Sequence, residues 1–116
     1  MCHVLVIEDE WIIAEHVAEI AREAGATSID MAETEQDAIE VARLRPPAVI
    51  LSDVNLAQGT GPGAVAVIRA EMGPLPVIFI TGTPDDCDHY DYAAAVLSKP
   101  LAPQEITATF QRIAPL

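Results

Sequence analysis

Basic side chains are scarce in this sequence. Its 116 residues contain six Lys and Arg against 18 Asp and Glu, which gives a formal net charge of −12 and a pI near 4.3. An acidic surface repels nucleic-acid phosphates and anionic lipids, so we expect neither nucleic acid nor a membrane as a partner. A divalent cation or a basic protein surface suits this charge better.

Cysteines and long apolar runs are also few. Cys2 and Cys87 provide neither a disulfide framework nor a zinc ligand set. No apolar run approaches the ~20 residues of a membrane helix, and no signal peptide opens the chain. We therefore expect a cytoplasmic protein. The length predicts one globular domain over residues 1–116, with no room for a second catalytic or DNA-binding domain.

Short apolar segments alternate with amphipathic ones along the chain. Buried strands are predicted at residues 3–7, 48–52, 76–80 and 93–97, with a weaker edge strand at 27–32. Helices are predicted at residues 11–24, 34–45, 64–72 and 104–114, and the polar stretch 84–92 is ambiguous. This alternation predicts an α/β fold in which helices cover both faces of a parallel sheet.

Chemically active side chains follow four of the predicted strands. Glu8 and Asp9 follow the first, Asp53 the third, Thr81 the fourth and Lys99, the only lysine, the fifth. Ligands of an open parallel sheet bind at these strand ends. Crowded carboxylates need a counter-charge, which Lys99 or Mg²⁺ can supply. Phosphoryl transfer onto aspartate requires a carboxylate nucleophile, here Asp53, together with an acid pair that holds a metal, a hydroxyl and an ammonium.

With these residues in this order, the chain resembles the receiver domain of two-component response regulators over essentially its whole length. The matching motif is the acid pair, then Asp53, then Thr81 followed by Gly82, then Lys99-Pro100. The resemblance implies a flavodoxin-like, doubly wound five-stranded parallel sheet in the order 2-1-3-4-5. It also implies five helices, and we expect the fourth, in the polar stretch 84–92, to be short or mobile. Because no output domain follows in the sequence, we expect a stand-alone receiver.

The resemblance further implies the reaction. Asp53 would accept a phosphoryl group from a phosphohistidine on a sensor histidine kinase or a histidine phosphotransfer protein. The protein would then be a switch and not an enzyme, with slow self-dephosphorylation at most. Asp9 and Asp53 would bind Mg²⁺ directly, Glu8 through water and Asn55 through its backbone carbonyl.

The resemblance also implies roles for Thr81 and Lys99 and the geometry of one peptide bond. Two positions of this sequence depart from the receiver pattern. Thr81 and Lys99 would hold phosphoryl oxygens, and the bond before Pro100 would be cis. Val96 stands where most receivers have an aromatic switch residue. The fourth strand resembles an atypical subgroup named for a Phe-Ala-Thr-Gly string, with Ile80 in place of its Ala. Members of that subgroup often serve alphaproteobacterial stress responses.

Trp11 and Ile12 begin the first predicted helix. At about 100° per residue they lie well away from its buried stripe, so we expect them to be exposed beside the acidic strand ends. We interpret them as a docking patch for a helical phosphotransfer partner. We also expect a monomer with a downstream protein partner.

Two other functions share parts of this pattern. An Asp-based phosphohydrolase uses a similar acid, hydroxyl and lysine set, but it normally has a second acid where this chain has Asn55. A flavodoxin-like cofactor binder has the same strand order, but the acids at residues 8–10 would repel its phosphate. Turnover of phosphate esters would favour the first alternative, and a yellow protein the second.

Overall fold

The computed structural model of this chain describes residues 2–83 and 91–116. The five strands are β1 (His3–Ile7), β2 (Ser28–Ala32), β3 (Val49–Ser52), β4 (Val77–Thr81) and β5 (Ala95–Ser98). The described residues form four helices: α1 (Trp11–Ala24), α2 (Glu35–Leu44), α3 (Gly61–Met72) and α4 (Pro103–Ile113). The other predicted helix, expected to be short or mobile, falls largely on residues 84–90, which lie outside the described residues.

All five strands are parallel and lie in the order β2-β1-β3-β4-β5. This arrangement confirms the doubly wound, flavodoxin-like sheet. Strand order reverses between β1 and β3, because the chain first adds β2 on one side of β1 and then builds outward on the other. The loops after β1 and β3 therefore diverge at this point, which is where such sheets form a ligand crevice.

Each face of the sheet carries its own core. Successive residues of a strand point to opposite faces, so Val4 and Val6 pack with α1 and α4, whereas Leu5 and Ile7 pack with α2 and α3. Because helices cover both faces, the inner strands are apolar on both sides. Among the described residues, no helix is both long and apolar enough to cross a membrane.

The helix boundaries follow from local chemistry. The Thr34 hydroxyl accepts a hydrogen bond from the Asp37 N–H at 3.0 Å and so caps the start of α2. Helix α1 ends at Gly25, whose φ of 125° favours glycine. The sequence predicted both boundaries. The sequence analysis predicted the last strand at residues 93–97, whereas β5 begins at Ala95. The start was predicted two residues too early because the three alanines at residues 93–95 have no strand pattern of their own.

Gly61 lets α3 start directly against the end of β3. A Cβ at this position would overlap the main-chain carbonyl oxygen of Asp53 and the Ser52 hydroxyl. The Gly61 N–H also donates to the Val54 carbonyl at 2.9 Å. The first turn of α3 therefore supports the residues that follow β3, and any side chain at this position would displace them.

Candidate functional site

The carboxyl ends of four strands bring the predicted chemical residues to one edge of the sheet. Main-chain hydrogen bonds continue one residue past the strands and fix where these residues sit. The Glu8 N–H donates to the Ala32 carbonyl at 2.9 Å, and the Asp53 N–H donates to the Ile7 carbonyl at 2.9 Å. The Lys99 N–H likewise donates to the carbonyl of Thr81, the last residue of β4, at 2.8 Å.

Three carboxylates form an acidic cluster at this edge. Glu8, Asp9 and Asp53 each offer an oxygen, and these oxygens all lie within 4.8 Å of one another. Glu8 is 4% exposed, and the two aspartates are half-buried. Carboxylates at this spacing repel one another, so the cluster requires a positive group to remain ionised.

Lys99 supplies that positive group. Its Nζ donates to Glu8 Oε1 at 2.8 Å and to Asp53 Oδ2 at 3.1 Å. Burial raises the pKa of the Glu8 carboxyl, although hydrogen bonds from Lys99 and from the Glu10 N–H oppose the increase. Burial lowers the pKa of the Lys99 ammonium, but its hydrogen bonds to the two carboxylates outweigh this effect and leave the pKa raised. Lys99 therefore stays charged.

Both aspartates are also held by backbone N–H groups. Asp53 Oδ1 accepts from the Val54 N–H at 2.7 Å, while its other oxygen faces Lys99. Asp9 Oδ2 accepts from the Ala57 N–H at 2.8 Å. These bonds restrict the rotation of the two carboxylates, so the cluster is ordered before any ligand arrives.

A second group of polar side chains lies on the neighbouring strand end. Thr81 is buried, and its Oγ1 accepts from the Thr83 N–H at 3.1 Å and lies 3.2 Å from Thr83 Oγ1. Thr83 Oγ1 in turn accepts from the Asn55 side-chain amide at 3.2 Å. The sequence pointed to Thr81 and Asn55 but not to Thr83, whose only signal was a second hydroxyl two residues beyond Thr81.

The remaining predicted residues occupy different places around this site. The peptide bond between Lys99 and Pro100 is cis. Trp11 and Ile12, at the start of α1, are 66% and 75% exposed. Val96 lies opposite Phe79 in the sheet register and packs against the core under α2 and α3.

The donor set of the acidic cluster fits a hard divalent cation. Mg²⁺ binds oxygen ligands, keeps several waters and is usually bound through one or two carboxylates. Glu8, Asp9 and Asp53 provide such oxygens close together, and nitrogen or sulfur ligands for a softer metal do not occur in the cluster. Among the described residues, this is the one group of three or more potential metal-binding side chains.

Comparison with known proteins agrees with this geometry. Residues 4–111 match the family described as the response regulator receiver domain. The chain is 29% identical over 112 residues to the phyllosphere-induced regulator PhyR of Methylorubrum extorquens, covering 94% of this chain and 42% of PhyR. The chain spans about half the length of the curated relatives it matches.

Solved structures show the same similarity. The receiver domain of the response regulator PhyR from Erythrobacter litoralis superimposes with a TM-score of 0.85 at 27% identity, covering 97% of this chain and 88% of that one. A double mutant of the anti-anti-sigma factor PhyR from Bartonella quintana gives a TM-score of 0.86 at 28% identity. That match covers 97% of this chain and 48% of the other.

The acidic cluster predicts stabilisation by Mg²⁺. We expect MgCl₂ to raise the melting temperature of the wild type, because the ion binds the folded cluster and offsets its repulsion. At a free Mg²⁺ concentration about 100 times Kd, linkage adds about 2.7 kcal/mol to the free energy of unfolding. Asp9→Asn should lose most of this increase in differential scanning calorimetry.

The matched control is Glu10→Gln. Glu10 is exposed and lies next to Asp9, so the variant makes the same charge change without removing an oxygen from the cluster. It should retain most of the Mg²⁺ effect. Equal Mg²⁺ responses in the two variants would contradict a site built from the cluster oxygens.

Proposed function

We propose, from the premise that this chain belongs to the family of response regulator receiver domains, that Asp53 accepts a phosphoryl group from a phosphohistidine. The donor would be a sensor histidine kinase or a histidine phosphotransfer protein. The observation that carries the proposal is the contact between Lys99 Nζ and Asp53 Oδ2 within the acidic cluster. This contact places a fixed positive charge beside the carboxylate that would be phosphorylated.

The reaction forms one bond and breaks another. A carboxylate oxygen of Asp53 attacks phosphorus in line, the phosphorus–nitrogen bond of the donor breaks, and the imidazole of the donor takes up a proton. The Val54 N–H holds one Asp53 oxygen, which sets the orientation of the carboxylate toward the incoming group. An aspartyl phosphate results, and we propose that its slow hydrolysis is the only further chemistry of the chain.

Mg²⁺ is the metal that suits this reaction. Asp9 and Asp53 would bind it directly, Glu8 through water and Asn55 through its backbone carbonyl. When bound, the ion neutralises negative charge on the transferring phosphoryl group. Before binding, Lys99 already compensates part of the cluster charge and holds the Glu8 and Asp53 carboxylates close together.

Thr81 and Lys99 are proposed to bind the phosphoryl oxygens. The Lys99 ammonium would exchange its bond to Asp53 for one to a phosphoryl oxygen, because that group carries more charge than the carboxylate. The Thr81 hydroxyl, which now contacts Thr83, would donate to a second phosphoryl oxygen. Moving Thr81 would also disturb the link from Thr83 to Asn55 and so connect phosphorylation to the loops around the site.

A downstream protein would read the phosphorylated state. One solved structure of similar fold is described as an anti-anti-sigma factor. We propose that this chain likewise signals through a protein contact, within a stress response. The strongly acidic surface favours a partner with a basic face.

Phosphorylation of Asp53 is directly testable. Incubation with acetyl phosphate and Mg²⁺ should add one phosphoryl group per chain in intact-protein mass spectrometry. Asp53→Asn should abolish the adduct, because the amide is a poor nucleophile. Asp37→Asn, an exposed carboxylate change on α2, should leave the adduct unchanged. An adduct that persists in Asp53→Asn, or continuous turnover of phosphate esters by the wild type, would refute the proposal.

We further propose that Trp11 and Ile12 form a docking patch for the phosphodonor protein. Both are exposed, and they follow Asp9 by two and three residues. Large apolar side chains exposed beside a reactive site are typical of protein interfaces. A helical donor that covers this patch would bring its phosphohistidine to the same edge of the sheet as Asp53.

Substitution of the patch should separate docking from chemistry. We expect the double variant Trp11→Ala, Ile12→Ala to slow phosphotransfer from a phosphorylated donor protein by about tenfold or more, since buried aromatic anchors dominate interface energies. Labelling of the same variant by acetyl phosphate should remain at the wild-type rate. Leu44→Ala, which alters an 87% exposed leucine on α2, is the control and should affect neither rate. Wild-type transfer by the double variant would exclude the patch.

A further inference from the structure

Glu35 at the start of α2 holds the loop that follows β3. We call residues 53–60 the acceptor loop, because it begins with Asp53 and contains Asn55. Glu35 Oε1 accepts from the Thr60 N–H at 2.9 Å. The Glu35 backbone N–H donates to the Gln58 carbonyl at 3.2 Å. Glu35 thus forms hydrogen bonds with the far end of the acceptor loop through both its side chain and its main chain.

The surrounding glycines make room for this contact. Gly59 has a φ of 81°, and a Cβ there would overlap the Glu35 side chain. A Cβ at Gly63 would overlap the Glu35 carboxylate and the Thr60 hydroxyl. Gly59 in the acceptor loop and Gly63 in α3 therefore leave space for the Glu35 side chain, so the contact depends on these two glycines.

Thr60 transmits the contact to the reactive end of the loop. It forms an antiparallel bridge with Asn55, and the neighbouring Gly61 N–H donates to the Val54 carbonyl. The Thr60 hydroxyl accepts from the Gly63 N–H at 3.0 Å and caps α3. A displacement of Thr60 would therefore shift residues 53–55 through these contacts. The Asp9 bond to the Ala57 N–H provides a second, separate attachment in the middle of the loop.

We propose that Glu35 is a positioning residue for the phosphoacceptor site, acting through Thr60 on the acceptor loop. The inference rests on the proposed function. With Glu35 in place, Asp53 and the Asn55 backbone are ordered before Mg²⁺ arrives. Without it, part of the binding free energy must order the loop, so the affinity for Mg²⁺ falls.

Two substitutions at this position separate its hydrogen bond from its charge. Glu35→Ala and Glu35→Gln remove the same charge, but glutamine keeps a side-chain oxygen that can accept from Thr60. By titration calorimetry, we expect Glu35→Ala to weaken Mg²⁺ binding about tenfold. Glu35→Gln should stay close to the wild type. Labelling of Asp53 by acetyl phosphate at subsaturating Mg²⁺ should follow the same order.

Thr34→Ala is the structural control. It removes the hydroxyl that caps the same helix but leaves the contact between Glu35 and Thr60. The melting temperature of this variant should fall, while its Mg²⁺ affinity stays unchanged. Equal losses of Mg²⁺ affinity in Thr34→Ala and Glu35→Ala would reduce Glu35 to a structural role and overturn the proposal.

The wild type distinguishes failure of this proposal from failure of the proposed function. If the wild type binds Mg²⁺ and is labelled at Asp53, while Glu35→Ala behaves identically, the positioning role is wrong and the phosphoacceptor function stands. If the wild type shows neither Mg²⁺ binding nor labelling, both proposals fall.

Discussion

The paired contact of Lys99 with Glu8 and Asp53 is the interaction on which the site depends. The formal charges of three carboxylates and one ammonium sum to −2 in a partly buried cluster. Removal of the ammonium would leave a buried carboxylate uncompensated, which costs far more than a surface ion pair contributes. The same imbalance leaves the cluster attractive to a divalent cation. The two ion pairs of Lys99 thus stabilise the acidic cluster and still leave it able to bind Mg²⁺.

The parallel sheet explains why these groups meet. Their sequence separation is large, since Glu8 and Lys99 lie 91 residues apart. Parallel strands end at a common edge, and the main-chain ladder extends one residue past the strands to fix each side chain. Buried cores on both faces of the sheet support that edge.

The sequence predicted the part of the site that depends on strand ends. Acid and lysine positions after apolar runs were enough to group Glu8, Asp9, Asp53 and Lys99, because the fold class alone places them together. It did not predict the contacts made by loop backbones, such as the Ala57 N–H to Asp9. Any residue type except proline offers an N–H, so its position depends on loop conformation and leaves no trace in composition.

Two further features illustrate that limit. The sequence marks Glu35 only as an acid in the first turn of a predicted helix, and its proposed role depends on Gly59 and Gly63, 24 and 28 residues away, which leave space for its side chain. Val96 stands where the resemblance to receivers implies an aromatic side chain. Tyr92 lies three residues before β5, and its ring lies 6.2 Å from that of Phe79 and under the Arg69 guanidinium. No local sequence pattern specified this arrangement.

A crystal structure of the chain with Mg²⁺ and beryllofluoride, a stable mimic of the phosphoryl group, tests the central claim most directly. The account predicts beryllium bonded to a carboxylate oxygen of Asp53, with Lys99 Nζ and Thr81 Oγ1 contacting its fluorides. Beryllofluoride bound to another side chain, or Lys99 remaining on Glu8 without contact to the adduct, would contradict it.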